Sequence, residues 1–371
     1  MNIPAARIYF PDEDKEKISE QIKEVLTSGM LTLGKYCKQF EMEFAKFVGT
    51  KYAITVNSGT SALEIPLRAL DIVGSSVIVP TNTFFATPAS VIHAGGSVIF
   101  TDVADDLSLN PDSVNEAIQK NTKGIITVHI GGMVSPHIKA LEEICEDNNL
   151  FLMEDAAAAH GSMLDEKKAG SFGNVAAFSF YPTKLITSAE GGMITTNDEK
   201  IYNRALVFRD QGKAGFSRNF HVELGYNWRM SEVHAVIGLS QFKRLQEFIE
   251  KRRNIAKIFD KRIGEIKKVT PIEIPANSRS NYYKYIVLLD EGIDRTEIKN
   301  ILKEKYKISL SGEVFEVPCH LQPVFKKLGY KEGDFPVAED LCRRQICLPI
   351  FPIMTEEEAN YIIDSLKEVI T

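Results

Sequence analysis

Between residues 50 and 200 the chain repeats one pattern: a short apolar run, a turn, then a stretch with helical spacing. Seven such runs, at 52–56, 77–79, 98–100, 124–128, 150–153, 175–178 and 192–195, show little alternation of apolar and polar residues. A strand with one wet face alternates, whereas a strand covered on both faces reads as continuously apolar. The pattern therefore predicts the α/β class, with a mostly parallel sheet sandwiched by helices. Ahead of it, Ile18, Ile22, Val25 and Leu26 form the stripe of an amphipathic helix that Gly29 can end.

Past the seventh run the pattern changes. Ser231 can cap a long helix in which Val233, Val236, Ile237, Leu245, Phe248, Ile249 and Ile255 recur at helical spacing toward about residue 260. A strand over 283–289, a helix over 295–305 and a closing helix opened by the capping box Thr355-x-x-Glu358 follow. The expected division is a large domain over residues 1–240 and a smaller α+β domain over 241–371, joined by the long helix.

Composition narrows the function classes. A net charge of −6 argues against a broad basic surface for nucleic acid, while leaving room for a local cationic pocket. No apolar run reaches membrane-spanning length and the N-terminus lacks a signal-peptide core, so a cytoplasmic protein with no membrane partner is expected. Cys37, Cys145, Cys319, Cys342 and Cys347 are scattered, with no C-x-x-C, and the seven histidines show no ligand spacing. Reduced packing cysteines and no metal are the expectation.

Chemistry enters with Asp155 and Lys184. The acid closes an apolar run, and the lysine follows 29 residues later in Ser179-Phe180-Tyr181-Pro182-Thr183-Lys184. A lysine amine can hold the aldehyde of pyridoxal phosphate as an imine, and a buried carboxylate can keep the pyridine nitrogen protonated. Arginine could not form the imine, and an amide at 155 could not balance the pyridinium charge. Asn57-Ser58-Gly59-Thr60-Ser61-Ala62-Leu63 follows a strand and opens a helix, whose free amides and hydroxyls suit a phosphate. Phe84, at the carboxyl end of the next strand, offers a ring to stack on the pyridine. Ser179 can bond phosphate, and the Glu190-Gly191-Gly192 run lets backbone pass close by.

These segments, with Thr83 to Thr87, Glu154-Asp155-Ala156-Ala157, His160-Gly161, Gly225-Tyr226-Asn227-x-Arg229-Met230, Phe335-Pro336-Val337-Ala338-Glu339 and Cys347-Leu348-Pro349, resemble the DegT/DnrJ/StrS sugar aminotransferases along nearly the whole chain. The resemblance implies a type I aminotransferase fold and a homodimer with active sites at the subunit boundary. It implies an amino group moved from glutamate or glutamine to a keto sugar, usually nucleotide-linked. Lys184 would be the cofactor lysine and Asp155 the pyridinium partner, Phe84 would stack on the ring, and Ser58, Gly59, Thr60 and Ser179 would hold the phosphate. Asn227 would reach that phosphate from the neighbouring subunit. His160, Tyr181, Glu190, Arg229 and His320 match positions near the substrate.

Two positions depart from the family pattern. Ala158 stands where a glutamine or histidine bonds the phenolic oxygen of the cofactor, and Leu185 follows the lysine where asparagine is common. Three other readings stay open on the sequence. One is amination of a keto-cyclitol or an aromatic-amine precursor. Another is a sugar dehydratase or deaminase, against which Lys184 argues because histidine is typical there. The third is a sensor that binds the cofactor without catalysis.

Overall fold

A computed structural model describes residues 1–215, 219–312 and 314–370. Its centre is a seven-stranded sheet in the order β1-β9-β8-β5-β4-β2-β3, formed by β1 (Tyr52–Val56), β2 (Ser76–Pro80), β3 (Ser97–Thr101), β4 (Thr122–Val128), β5 (Phe151–Asp155), β8 (Val175–Ser179) and β9 (Gly192–Thr196). Short pairs β6 (Met163–Leu164) and β7 (Lys167–Lys168) lie outside it. All its neighbours pair in parallel except β9, which runs antiparallel to both β1 and β8. The seven apolar runs of the sequence are these seven strands.

Burial on both faces explains the missing alternation. Helices α1 (Asp12–Ser28), α2 (Lys35–Val48), α3 (Gly59–Ala69), α4 (Ala86–His93), α5 (Pro111–Ala117), α6 (Ile138–Asn148) and α7 (Glu199–Arg209) flank the sheet. Along β5 the pleat sends Leu152 into a core with Phe40, Phe44, Phe178 and Phe248, and Met153 into the opposite core with Ile54, Ile65, Val79 and Ile126. Gly29, with φ 68°, ends α1 as its position suggests.

The helix expected to run unbroken from Ser231 is two helices, α8 (Glu232–Lys243) and α9 (Leu245–Ile263). The interruption falls at Arg244, whose amide bonds Gln241 three residues back and whose guanidinium is drawn to Glu13, Asp14 and Glu247. Periodicity continues across the joint, so the sequence shows no break there. After α9 come β10 (Val269–Pro271), β11 (Ser278–Arg279), β12 (Tyr285–Leu289), α10 (Arg295–Glu304), α11 (Pro336–Arg344), β13 (Gln345–Leu348) and α12 (Glu356–Ile370). Strands β10, β12 and β13 make an antiparallel sheet, over which Phe259, Val287, Leu302, Phe351 and Ile363 form a third core. Ile3 joins that core and pairs with Ile308, so the chain's first residues pack with its last hundred. Thr355 and Glu358 form the reciprocal capping bonds ahead of α12, at 2.9 and 3.1 Å.

One buried carboxylate ties the site-bearing loops to the sheet. Glu154, fully buried on β5, accepts from the amides of Gly170, Phe172 and Gly173 at 2.7–2.9 Å and sits 2.8 Å from His129 Nε2 at the end of β4. Four partners offset the cost of burying the group. Glu154→Gln puts amide hydrogens against backbone donors and is expected to destabilise the fold by roughly 3 kcal/mol, read as a lower urea midpoint at unchanged slope.

Candidate active site

The carboxyl ends of β4, β5 and β8 open onto a cavity of about 370 Å³ lined by Ser58, Gly59, Thr60, Phe84, Asp155, Ser179, Tyr181, Lys184 and Glu190, among others. Open α/β sheets bind ligands at such strand ends. Sheet register brings the first pieces together: Gly192 pairs with Val56 on one side and Ser179 on the other. The turn after β1 and the loop after β8 therefore emerge side by side.

Their approach is close. A Cβ on Gly59 would lie 2.7 Å from Ser179 Cβ, and one on Gly192 would lie 2.3 Å from the Ser58 carbonyl oxygen. Glycine at 59 and 192 is thus a packing requirement. Ser58 caps α3 through a reciprocal capping box with Ser61, at 3.1 and 3.2 Å. The amides of Gly59 and Thr60, first-turn donors with no intrahelical acceptor, border the cavity at the positive end of the helix dipole. Together with Ser179 they make a cradle for a phosphate.

Asp155, nearly buried at the end of β5, accepts from Thr87 Oγ1 at 2.7 Å and from the Ala157 amide at 3.2 Å. Thr87 in turn meets Thr83 at 2.8 Å, so the acid is held by the loop that carries Phe84, whose ring is 64% exposed and free to stack on a ligand. Lys184 rides the loop between β8 and β9. The Lys184 amide bonds the Tyr181 carbonyl at 2.9 Å, and the buried Leu185 and Ile186 pin the turn into the core below. Leu185, the second departure from the family pattern, is therefore an anchor facing away from the cavity, while Ala158 lines it.

Four expected site residues lie outside this lining. His320 is fully buried, with Nδ1 2.6 Å from Thr81 Oγ1 and Nε2 3.1 Å from Glu339, so both ring nitrogens are committed to holding the chain after β2. His160 is fully buried between Phe178 and Phe180, with ring centroids 5.4 and 5.5 Å away. Arg229 is ion-paired with Asp210. Asn227 is exposed, its carbonyl 3.5 Å from Asn57 Nδ2. Within one chain none of the four borders the cavity.

Sequence reasoning missed the opposite wall. Tyr283 and Lys284 reach the cavity from the segment before β12, with His129, Thr183, Val314 and Phe315 beside them. The segment is clamped onto the large sheet: the Lys284 amide bonds the Gly131 carbonyl at 2.9 Å, and Asn281 Nδ2 bonds the carbonyls of Ala158 and His160 at 2.9 and 3.0 Å. A Cβ at Gly132, where φ is 94°, would sit 2.0 Å from Asn281 Oδ1. That glycine pair after β4 was the available signal, since it marks where another segment must approach. Burial works to raise the Tyr283 phenol, but the Lys184 and Lys284 ammonium groups, with Thr183 and Arg252, hold it below its usual range.

A lysine, a held acid and a phosphate cradle on this sheet define a pyridoxal-phosphate enzyme of the type I aminotransferase fold. The chain belongs to the DegT/DnrJ/EryC1/StrS aminotransferase family, whose sequence profile matches residues 12–367. It is 34% identical to the spore coat polysaccharide biosynthesis protein SpsC of Bacillus subtilis, over 96% of this chain and 95% of that one. It is also 34% identical to the GDP-perosamine synthase of Escherichia coli O157:H7, over 99% and 98%. The putative sugar aminotransferase Spr1654 of Streptococcus pneumoniae in its PLP form superposes with a TM-score of 0.92 at 26% identity, covering 100% of this chain and 98% of that one.

Two outcomes follow from this geometry. Gly59→Val should push Ser179 aside and weaken cofactor retention by about tenfold or more, the loss of one or two phosphate hydrogen bonds, measured by equilibrium dialysis at unchanged secondary structure. Burial, aided by the Lys184 charge, lowers the His160 pKa from 6.5 to about 3. The unfolded chain binds the extra proton in that window, so this stability is fully present above pH 6.5 and is lost as pH falls toward 3. His160→Phe should flatten the decline in urea stability between pH 6.5 and 5 by up to about 1 kcal/mol per pH unit.

Proposed function

We propose that this aminotransferase moves an amino group from glutamate or glutamine onto a keto sugar carried by a nucleotide, as a homodimer in the cytoplasm. The observation that carries the reading is the meeting of Lys184 and Asp155 on one cavity beside the Gly59–Ser179 cradle. GDP-perosamine synthase and the spore coat polysaccharide protein, each aligned end to end with this chain, support a sugar acceptor and a nucleotide carrier.

The residues present fit pyridoxal phosphate. Ser58, Gly59, Thr60 and Ser179 would hold its phosphate, Phe84 would cover the ring face, and Asp155 would balance its ring nitrogen. Bound there, the cofactor supplies an aldehyde that carries an amino group between substrates and a ring that accepts electrons. Thr87 and the Ala157 amide orient the Asp155 carboxylate, which keeps one oxygen lone-pair set for the ring nitrogen. Lys184 would tether the cofactor, and its free Nζ would act as the base that takes the proton from the donor carbon and, in the reverse direction, gives a proton to the acceptor carbon. Ala158 cannot donate to the phenolic oxygen, and the space it leaves admits water or part of the substrate.

The dimer reading rests on the segment that carries Asn227. Phe220, Val222, Leu224 and Tyr226 are exposed along it, Leu224 at 90%, and Phe84, Phe85 and Tyr181 are exposed at the cavity loops. Apolar side chains so displayed suit burial by a second copy, which would bring its Asn227 to the phosphate.

Purified protein given glutamate should release 2-oxoglutarate in an amount matching its cofactor, and borohydride should fix the cofactor mass on the parent but not on Lys184→Ala. Turnover by Lys184→Ala at the parent's rate would refute the assignment. Mixing inactive Lys184→Ala with Asn227→Asp, whose added charge repels the phosphate, should regain part of the activity through hybrid dimers with one intact site. No regain, together with a monomeric mass by light scattering, would exclude the shared site.

A further inference from the structure

An aminotransferase must seat two substrates in turn, and an amino-acid donor brings a carboxylate one bond from the carbon that reacts. The phosphate cradle at α3 is a separate place, so a second cationic feature is required near Lys184. Tyr283 marks it. Two ammonium groups approach its ring, Lys184 Nζ at 5.1 Å and Lys284 Nζ at 5.5 Å from the ring centre. Lys284 donates to the Ser311 carbonyl and makes no ion pair among the described residues, leaving two of three ammonium donors for a ligand. Two ammonium groups within 5.5 Å of one ring centre make this end of the cavity positive, which favours an anion there.

We propose that Lys284 binds the α-carboxylate of the amino donor, with the Tyr283 ring as the floor that aligns it beside Lys184. The charged groups around this spot are Lys184 from the β8–β9 loop, Arg252 from α9, Asp155 held by Thr87, and Glu190 and His129 on the lining. Arg252 lies behind the wall and off the cavity lining, its Nη1 bonding the carbonyls of Tyr282 and Ile350 at 3.1 and 2.8 Å. Among the described residues that line the cavity, Lys284 is the cation left for an incoming anion once Lys184 holds the cofactor. The diphosphate of a nucleotide sugar is the other anion the site would meet, but a sugar ring separates it from the reacting carbon. Proximity to Lys184 therefore favours the carboxylate.

The segment bearing Lys284 is fixed. Its amide bonds Gly131, the Tyr283 amide bonds Asn281 Oδ1 at 2.8 Å, and Asn281 grips the same loop that begins with Asp155. A carboxylate anchored there is positioned relative to the acid and the lysine by rigid backbone, which is what a donor needs for reproducible orientation of its reacting bond.

The inference rests on the aminotransferase taking an amino-acid donor, and the test separates the two claims. Holoenzyme is titrated calorimetrically with maleate, a dicarboxylate with no amine, and with GDP and UDP, in the parent, Lys284→Gln and Lys284→Arg. Single-turnover reaction with glutamate is followed in parallel. Lys284→Gln should weaken maleate binding and the half-saturating glutamate concentration about tenfold to a hundredfold, Lys284→Arg should recover part of both, and nucleotide affinity should stay within about twofold. Equal maleate affinity in parent and Lys284→Gln overturns the proposal. So does a loss confined to the nucleotides, which would move Lys284 to the diphosphate. Maleate binding that depends on Lys284 in a parent that no amino acid aminates would uphold the anion site and refute the donor assignment instead.

Discussion

The site depends on how closely the turn after β1 can lie against the end of β8. Strand β9 threads between them antiparallel, and Gly192 pairs with both Val56 and Ser179. With no side chain at 59 or 192, the start of α3 packs on Ser179 and the Ser58 carbonyl passes over β9. Any larger residue would drive the phosphate-binding amides away from the loop that carries Lys184. The loop that carries Lys184 joins two antiparallel neighbours over residues 180–191, and Leu185 and Ile186 anchor it in the core.

Adjacent acids on β5 show how the pleat divides labour. Side chains alternate across a strand, so Glu154 and Asp155 point to opposite sides. Glu154 takes three backbone amides of the 170–173 loop and faces His129. Asp155 turns to the cavity and is held by Thr87. Neither could do the other's work, since one is saturated by backbone donors and the other keeps acceptor capacity for a ligand.

The opposite wall comes from far along the chain. Asn281 to Lys284 dock on Gly131 and Gly132 and close the cavity with a phenol and a second cation. Two histidines that carry family motifs lie behind the cavity wall within one chain. His320 binds Thr81 and Glu339, and His160 lies in an aromatic slot between Phe178 and Phe180. His320 thereby holds the chain after β2 to α11, whereas His160 is packed by aromatic rings.

The strands were legible because burial on both faces leaves a direct mark on composition, and the site residues at their ends were legible because strand ends and helix starts fix where loops emerge. Lys184, Asp155, Ser58 and Ser179 all lie within a few residues of such an end, so the sheet order alone gathers them. The joint at Arg244 was not legible, because apolar spacing runs through it and the bonds to Glu13 and Asp14 span more than two hundred residues. Tyr283 and Lys284 were not legible as site residues: the signal lay in the glycine pair at 131 and 132 that they dock against, and their place on the cavity follows from that contact, made after both sheets exist. The sequence by itself determined the sheet, its helices and the chemistry carried at strand ends, since these arise from local periodicity and chain connectivity. The tertiary structure alone decided which histidines face inward and which distant residues complete the wall, since those depend on packing between segments that share no local code.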